Sequence, residues 1–388
     1  MALSERGIDR RQFLTGAAGL AGAGLLAACG SNSGSNSGGA PSPTKIPPLS
    51  AESGKLSVLD WKGYEAAGTK AQTYPVLFGK TYTKKYGASG LTYSYIYNDN
   101  QGLEKATTSG PYDVIHPYFE NYRDYVSRGL IQPWDTSLIS SFSQLNPAMV
   151  KAGQFNGKQY VIPWDWGYGS LLYRTDHVDA ADATGWELAW NPKYKDKISL
   201  WKGASTNFEI AALKLGFPNM DRQTMDQIAQ SKQALIDQKP LNKVYWDDEY
   251  ATEQPNIKSG TVWITYAWQD SLVSMAAAGV PVAFMNPSQG RISWFGGFML
   301  GAHTQNYYHA HEYVESFVNH NACASLINNF YYGSANLSVK PSEVQNKTLA
   351  KSLDLGNPTA VLGGNNNVQS YQPNRQQIEL AWQEVLNS

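Results

Sequence analysis

This 388-residue sequence contains little cysteine and few charged residues. It contains only Cys29 and Cys323, which excludes a framework of several disulfides and a cysteine-based zinc site. Charged residues make up 16% of the chain and the formal net charge is −1, so there is no basic surplus to hold a phosphate backbone. We therefore expect no nucleic-acid partner and no metal centre.

Catalytic signatures are missing as well. The sequence has no Gly-x-Ser-x-Gly elbow, no phosphate-binding loop and no His-Glu-x-x-His zinc motif. Its six histidines are scattered, and the closest two, His309 and His311, have a spacing that does not share a helix face. We predict no catalytic residue and no cofactor. Two facing carboxylates, as in a glycoside hydrolase, define an alternative class, and a structural or adhesive surface protein a third.

Long apolar runs are absent, and the run near the N-terminus, residues 16–28, is too short and too weakly apolar for a durable membrane span. It follows Asp-Arg-Arg-Gln-Phe-Leu at residues 9–14, which resembles a twin-arginine export signal. It ends in Leu-Ala-Ala-Cys at residues 26–29, which resembles a bacterial lipobox. We predict that residues 1–28 form a signal peptide and that Cys29 becomes the lipidated first residue of the mature protein.

The rest of the chain divides into a linker and a body. Residues 29–50 are rich in Gly, Ser and Asn and then in Pro, which predicts a flexible tether. The remainder is long enough for two domains of ordinary size. Segments with a strand pattern, such as 56–61 and 91–97, alternate with helical patterns, which predicts parallel pairing in an α/β body. Aromatic residues, at 12%, suit both core packing and a stacking pocket.

The most informative stretch runs from residue 155 to residue 176. Asn156-Gly157 predicts a two-residue hairpin, because a type I′ turn needs two residues that accept positive φ. Pro163 lies inside the following β-rich run, so that run is expected to bend or to cross between two bodies. We place this first crossing near Trp164–Trp166 and a second one near residues 268–270. The aromatic residues of the run could simply pack in a core, or they could face a ligand.

Two helix starts carry candidate polar groups. Thr206-x-x-Glu209 matches a capping box, and the free amides at residues 203–206 could instead bind an anion. Asp270 precedes a predicted helix over residues 271–278, where it could serve as the N-cap, as a ligand for a cation, or as both.

The phrases F-N-G-K-Q-Y-V-I-P (155–163), L-L-Y-R-T-D (171–176) and G-W-E-L-A-W-N-P-K-Y-K-D-K-I (185–198) resemble the solute-binding proteins of ATP-driven importers, and within them the spermidine/putrescine-binding branch. The resemblance implies an α/β, two-lobe periplasmic-binding-protein fold of type II, with ligand held between lobes that crossing strands join. We assign residues 51–164 and 271–335 to lobe 1, and residues 165–270 and 336–388 to lobe 2.

The same resemblance suggests ligand-binding positions, although the match is partial. Trp61 and Tyr64 stand where the branch has its first Trp and Tyr, and Trp268 and Asp270 stand where it has a stacking Trp and an ammonium-binding carboxylate. Two carboxylates of the branch are replaced here by Gly203 and Thr206, a loss that Glu120 or Asp165 could compensate. Trp61 and Trp268 could equally be packing residues. The predicted binding set is Trp61, Tyr64, Tyr118, Glu120, Asp165, Trp166, Thr206, Trp246, Trp268 and Asp270.

The function that the resemblance implies is the substrate-binding component of an ABC transporter. We expect an extracytoplasmic, lipid-anchored monomer that captures a polyamine or similar organic cation and delivers it to membrane permease subunits. An amine-bearing zwitterion, an anion or a sugar is the alternative ligand. Cys323, on a helix with Ala322 and Leu326, is expected to be buried and inert.

Overall fold

A computed structural model describes residues 51–71, 76–97, 99–247, 249–352, 355 and 366–388. The predicted signal peptide, Cys29 and the whole predicted tether therefore lie outside the described residues. Within the described ranges, no helix combines the length and the apolar character that a membrane crossing requires.

The strands occur in two sets, one on each side of a pair of long crossing strands. In chain order they are β1 (Leu56–Trp61), β2 (Leu91–Ile96), β3 (Val114–Ile115), β4 (Ile131–Gln132), β5 (Gln154–Phe155), β6 (Lys158–Gln159), β7 (Val161–Arg174), β8 (Ile198–Trp201), β9 (Asn242–Trp246), β10 (Ile264–Trp268), β11 (Val282–Phe284), β12 (Arg291–Gly301), β13 (Gly333–Ser334) and β14 (Asn366–Val368).

The helices follow most of these strands. They are α1 (Lys80–Tyr86), α2 (Asp99–Thr108), α3 (Tyr122–Ser127), α4 (Pro147–Ala152), α5 (Ala204–Lys214), α6 (Met225–Gln238), α7 (Gln254–Ser259), α8 (Gln269–Ala277), α9 (Tyr307–Val318), α10 (His320–Phe330), α11 (Lys347–Ser352) and α12 (Arg375–Asn387).

One sheet runs through the whole body, in the order β2-β1-β3-β12-β7-β10-β8-β9. The outer triplets β2-β1-β3 and β10-β8-β9 are parallel, as the strand–helix alternation predicts. The central strands β12 and β7 are antiparallel to each other and to their outer neighbours. The molecule is therefore a two-lobe α/β protein in which each lobe is built on one parallel triplet.

The long strand β7 is the predicted first crossing, and it contains Pro163. Pro163 lies opposite Gly297, next to an irregularity in β12 between Phe295 and Gly297. On the other side of β7, pairing begins at Asp165, so the missing N–H of Pro163 breaks no ladder there. The preceding hairpin is confirmed, since β5 pairs with β6 around Asn156 and Gly157, whose φ angles are 49° and 72°.

The second crossing is not where the sequence suggested. Trp268 ends β10 beside β7 and β8, and the chain continues through α8 to β11, which pairs with the lobe 2 end of β7. The return occurs in β12, where Ile292 pairs with Gly169 and Met299 with Val161. The prediction near residues 268–270 is wrong because that segment ends a strand and starts a helix within the β10–β11 connection.

Each lobe has its own apolar core. The lobe 1 core contains Val58, Phe78, Trp164, Phe298 and Phe317, and a second cluster includes Leu59 and Tyr125. The lobe 2 core contains Leu171, Trp186, Ile198, Ile264 and Ile292. The segment after residue 336 is divided between the lobes: its first side chains, Val339, Val344 and Leu349, pack in the lobe 1 core, whereas Ile378 and Trp382 pack on Phe208 of lobe 2.

Candidate functional site

The two lobes turn the carboxyl ends of their parallel strands toward each other, which is where open α/β sheets bind ligands. Trp61 ends β1 and Tyr118 follows β3 in lobe 1, while Trp246 ends β9 and Trp268 ends β10 in lobe 2. The structure thus brings these four predicted site residues to the facing edges of the two lobes.

A continuous set of rings lines this surface. Trp61 stacks on Tyr118 with ring centroids 5.0 Å apart, Tyr118 lies 5.2 Å from Trp294, and Trp294 lies 4.9 Å from Tyr332. We call Trp61, Tyr118, Trp294 and Tyr332 the inter-lobe aromatic wall. Trp294 and Tyr332 were not among the predicted site residues, because neither stands next to a recognisable motif.

A second ring cluster belongs to lobe 2. Trp268 lies 5.3 Å from Trp201 and 5.4 Å from Trp246, with the rings nearly perpendicular in the second pair. Trp246 is almost fully buried, whereas Trp268 is half-buried. Edge-to-face contacts of this kind fix ring orientation, so the exposed part of the Trp268 ring has a fixed position at the end of β10.

Next to Trp268, three carboxyl groups share one small volume. Asp270 is 4% exposed and accepts a hydrogen bond from the Tyr332 hydroxyl at 3.3 Å. The Ser271 hydroxyl lies 2.7 Å from Glu249 Oε1 and 2.9 Å from Glu253 Oε2. We call Asp270, Glu249 and Glu253 the carboxyl cluster.

The carboxyl cluster is electrostatically strained. Burial raises the pKa of Asp270. Burial, and then the Asp270 charge, raise the pKa of Glu249 well above its usual value, and burial raises the pKa of Glu253 to about 8. Like charges this close disfavour joint ionisation, so the cluster would be relieved by an incoming cation.

Of the two roles suggested for Asp270, the N-cap role does not match the structure. Helix α8 starts at Gln269, its N-cap is Trp268, and Asp270 is therefore inside the first turn. The acidic side chain still lies near the positive end of the helix, where it accepts hydrogen bonds from backbone N–H groups of the first turn.

The predicted capping box at Thr206 is wrong as well. Helix α5 starts at Ala204 after Gly203, so Thr206 is helical, buried and hydrogen-bonded to Tyr266. Glu209 is buried too, and it accepts hydrogen bonds from Ser205, Gln369 and Gln372. The pair is not a capping box because the helix begins one turn earlier than the pattern suggested.

Asp165 and Trp166 are engaged within the protein. Asp165 is buried, with Oδ1 3.4 Å from His116 Nε2, while His116 Nδ1 lies 2.8 Å from Asp60 Oδ1. Trp166 donates its indole N–H to Ser334 O over 3.0 Å. Asp165 thus forms a buried ion pair with His116.

Tyr64 and Glu120 flank the wall. Tyr64 packs 5.5 Å from the rings of both His116 and Trp164, so its ring supports the lobe 1 core. Glu120 lies in the short turn Phe119–Asn121 that follows Tyr118. Its charge acts on the buried Glu209 of lobe 2, which places Glu120 at the lobe 1 side of the interface.

The lobes also touch outside the wall. Arg375 of α12 donates to Asn121 Oδ1, and the Tyr371 hydroxyl lies 3.4 Å from Asp124 Oδ1. An open groove of about 660 Å³ lies between Tyr97 and Asn100 of lobe 1 and Gly203, Asp247 and Trp382 of lobe 2. Within the described ranges, no group of three or more His, Cys, Asp or Glu side chains has the geometry of a metal site.

Comparison with known proteins gives consistent matches. Residues 78–352 match the family model described as bacterial extracellular solute-binding protein. The chain is 25% identical over 314 residues to the spermidine/putrescine-binding periplasmic protein of Escherichia coli K12, covering 76% of this chain and 82% of that protein. It is 23% identical over 313 residues to the putrescine-binding periplasmic protein PotF of the same organism, covering 76% and 81%.

Among solved structures, the spermidine/putrescine ABC transporter substrate-binding protein PotD of Streptococcus pneumoniae superposes with a TM-score of 0.65. The identity is 17%, and the match covers 86% of this chain and 97% of that chain. This likeness supports the two-lobe fold that the sheet order describes.

Proposed function

The chain belongs to the bacterial extracellular solute-binding protein family, and we propose that it is the substrate-binding component of an ABC importer for a small organic cation. Members of the family bind solutes for transport, which favours binding over the hydrolase alternative. Spermidine and putrescine, the ligands named for the relatives, are the first candidates. An amine-bearing zwitterion would use the same ammonium site.

The carboxyl cluster is the observation that carries this proposal. Asp270, Glu249 and Glu253 lie together at the start of α8, close to Trp268 and to the Tyr332 hydroxyl. An ammonium group placed there would gain charge-assisted hydrogen bonds and would relieve the repulsion among the carboxylates. An anionic group in the same place would meet three acidic side chains.

The rings around the cluster suit the rest of a cationic ligand. A cation above an aromatic face gains about 0.5–2 kcal/mol, and more when water is excluded. Trp268 on the lobe 2 side and the inter-lobe aromatic wall on the lobe 1 side offer such faces. Because the two surfaces belong to different lobes, a ligand in contact with both would favour the closed arrangement.

The test is a thermal-shift titration of the full-length protein in detergent. Putrescine, spermidine and 4-aminobutanoate are compared with a neutral sugar and a dicarboxylate. A ligand at 100 times its Kd stabilises the folded state by about 2.7 kcal/mol, which is easily seen. Stabilisation by amines, with the amine recovered unchanged by mass spectrometry, supports the proposal. Stabilisation by the sugar or the dicarboxylate alone would refute it.

The membrane attachment and the lobe boundaries belong to the same proposal. We propose a lipid on Cys29 and a flexible tether over residues 29–50 that hold a monomeric body outside the cytoplasmic membrane, next to the permease. A Cys29→Ser variant should leave the membrane fraction while retaining ligand binding. The core clusters support lobe 1 as residues 51–168 and 294–352, and lobe 2 as residues 169–293 and 366–388.

A further inference from the structure

The surface between the lobes has unmatched hydrogen-bonding atoms of both kinds. The indole N–H groups of Trp61 and Trp294 are buried, and neither has an acceptor among the described residues. Glu253 Oε1 is buried without a donor in the same part of the chain. Trp294 is only 3% exposed. Buried polar groups are nearly always hydrogen-bonded, so this concentration points to an external partner.

The donors lie on the same surface as the carboxyl cluster. Trp61 and Trp294 flank Tyr118 at ring distances of 5.0 and 5.2 Å. The Trp294 ring lies 4.9 Å from the ring of Tyr332, whose hydroxyl donates a hydrogen bond to Asp270. One extended molecule that begins at Asp270 and follows the wall would therefore pass the rings of Trp294 and Trp61.

The indole of Trp164 is also unpaired within the described ranges, but it lies in a different part of the molecule. Trp164 Nε1 is also buried without a partner among the described residues, but its ring packs 5.1 and 5.2 Å from Phe317 and Phe298 in the lobe 1 core. Aromatic faces are weak acceptors for such an N–H group. An unpaired indole therefore does not mark a site by itself, and Trp164 provides a matched control.

We propose that the ligand carries a hydrogen-bond-accepting oxygen, a hydroxyl or a carboxylate, in addition to its ammonium group, and that Trp294 donates to that oxygen. This inference rests on the proposed function, since it places the ammonium group at Asp270. A protonated diamine supplies donors alone. Its second ammonium group would face the indole N–H groups, or would have to reach Glu120 or Glu209 instead.

The experiment compares compounds that differ only at one end. Isothermal titration of the full-length protein uses 1,4-diaminobutane, 4-aminobutan-1-ol, 4-aminobutanoate and butylamine, together with the five- and six-carbon homologues of each. One of the oxygen-bearing series is expected to bind at least about tenfold more tightly than the diamine of equal length, as a gained hydrogen bond to a buried donor allows.

Two variants connect this preference to one atom. Trp294→Phe keeps a ring and removes the N–H, so it should reduce the preference to less than about threefold. Trp164→Phe removes an equally buried N–H in the core and should leave the preference unchanged, whatever it does to the melting temperature. Because the readout is a ratio of affinities, a general loss of stability does not imitate the result.

The outcomes separate the two proposals. A diamine that binds as tightly as the oxygen-bearing compounds, and loses its binding in Asp270→Asn, overturns this inference and retains the proposed cation site. An oxygen-bearing preference that survives Trp294→Phe removes Trp294 from the assignment and so also contradicts it. Failure of every amine, butylamine included, overturns the proposed function and this inference with it.

Discussion

The Tyr332 hydroxyl donates a hydrogen bond to Asp270 Oδ1 over 3.3 Å. Tyr332 follows α10 in lobe 1, and Asp270 lies in the first turn of α8, so this bond connects the two lobes. The same tyrosine ring packs 4.9 Å from Trp294 on the crossing strand β12. A group bound at Asp270 would therefore contact a carboxylate that already accepts a hydrogen bond from the other lobe. We therefore expect ligand binding at this carboxylate to favour lobe closure.

Asp270→Asn should weaken amine binding by about 10- to 150-fold, since a charge-assisted hydrogen bond contributes about 1.5–3 kcal/mol. The folded state should not lose stability to the same extent, because the change also removes repulsion within the carboxyl cluster. Titration calorimetry and a thermal melt without ligand measure the two effects. Asp247→Asn, at an exposed rim position, is the matched control and should change the affinity less than about threefold. Equal effects of both variants would contradict the assignment.

Amine binding should release protons near neutral pH and should strengthen as the pH rises from 6 to 8. Burial raises the pKa of Glu253 to about 8, and that of Glu249 well above its usual value, so both retain protons that an arriving ammonium displaces. The amine stays charged over this range. Calorimetry in two buffers of different ionisation enthalpy counts the protons, and an affinity that falls with pH would contradict the prediction.

The same carboxyl groups predict the stability of the ligand-free protein. Their raised pKa values mean that the folded state holds more protons than the unfolded state once the pH exceeds about 4.5. Their contribution is therefore complete below that pH and is lost as the pH rises through about 8. Urea denaturation at several pH values measures this trend, and Glu253→Gln should flatten it.

Replacing His116 should be severely destabilising. Burial lowers the pKa of His116, but the Asp60 carboxylate and the hydrogen bonds with Asp165 and Asp60 outweigh it and raise the pKa to about 9. His116→Gln would leave two buried carboxylates without their cation, at a cost of about 3–5 kcal/mol. Since the histidine pKa is raised, its contribution should be complete below about pH 6.5 and disappear as the pH rises through about 9.

Urea denaturation at pH 7 measures the His116 effect. The matched control is His177→Gln, because His177 is 39% exposed and lies 3.7 Å from Asp176 at the surface. That variant should change the free energy of unfolding by less than about 0.5 kcal/mol. A similarly small effect at His116 would mean that the Asp60–His116–Asp165 arrangement is not the ion pair described above.

Arg375→Ala should accelerate ligand dissociation. Arg375 contacts Asn121 across the lobes and lines the open groove between them, away from the carboxyl cluster. Loss of a contact made only in the closed arrangement shifts the population toward the open one, so the affinity should fall about three- to tenfold, mainly through the off-rate. Stopped-flow tryptophan fluorescence measures both rates. Arg222→Ala, at an exposed position of lobe 2, should change neither.

Local chemistry explains what the sequence could predict. The hairpin at Asn156-Gly157 depends on two adjacent residues, and the positions of Trp61 and Trp268 follow from strand patterns that end there. The errors at Thr206 and Asp270 have one cause, because both helices begin earlier than their polar residues suggest. A cap pattern alone does not distinguish the residue before a helix from one in its first turn.

Trp294 and Tyr332 could not be identified in this way. Trp294 reaches the wall because β12 pairs with β7 in a register that sets it opposite Gly167. A Cβ at residue 167 would lie 2.5 Å from the Trp294 ring, so the glycine makes room for it. That relationship joins residues 127 positions apart (294 minus 167), and no local pattern in either segment announces it.

The two crossing strands also decide where this architecture can change in length. Side chains in a strand alternate between faces, and in β7 the rings of Trp164, Trp166 and Tyr168 share the lobe 1 core face. One residue inserted before Trp164 would exchange that face with Pro163, Asp165 and Gly167. We therefore expect insertions and deletions among homologues in the surface loops, and only substitutions in the crossing strands.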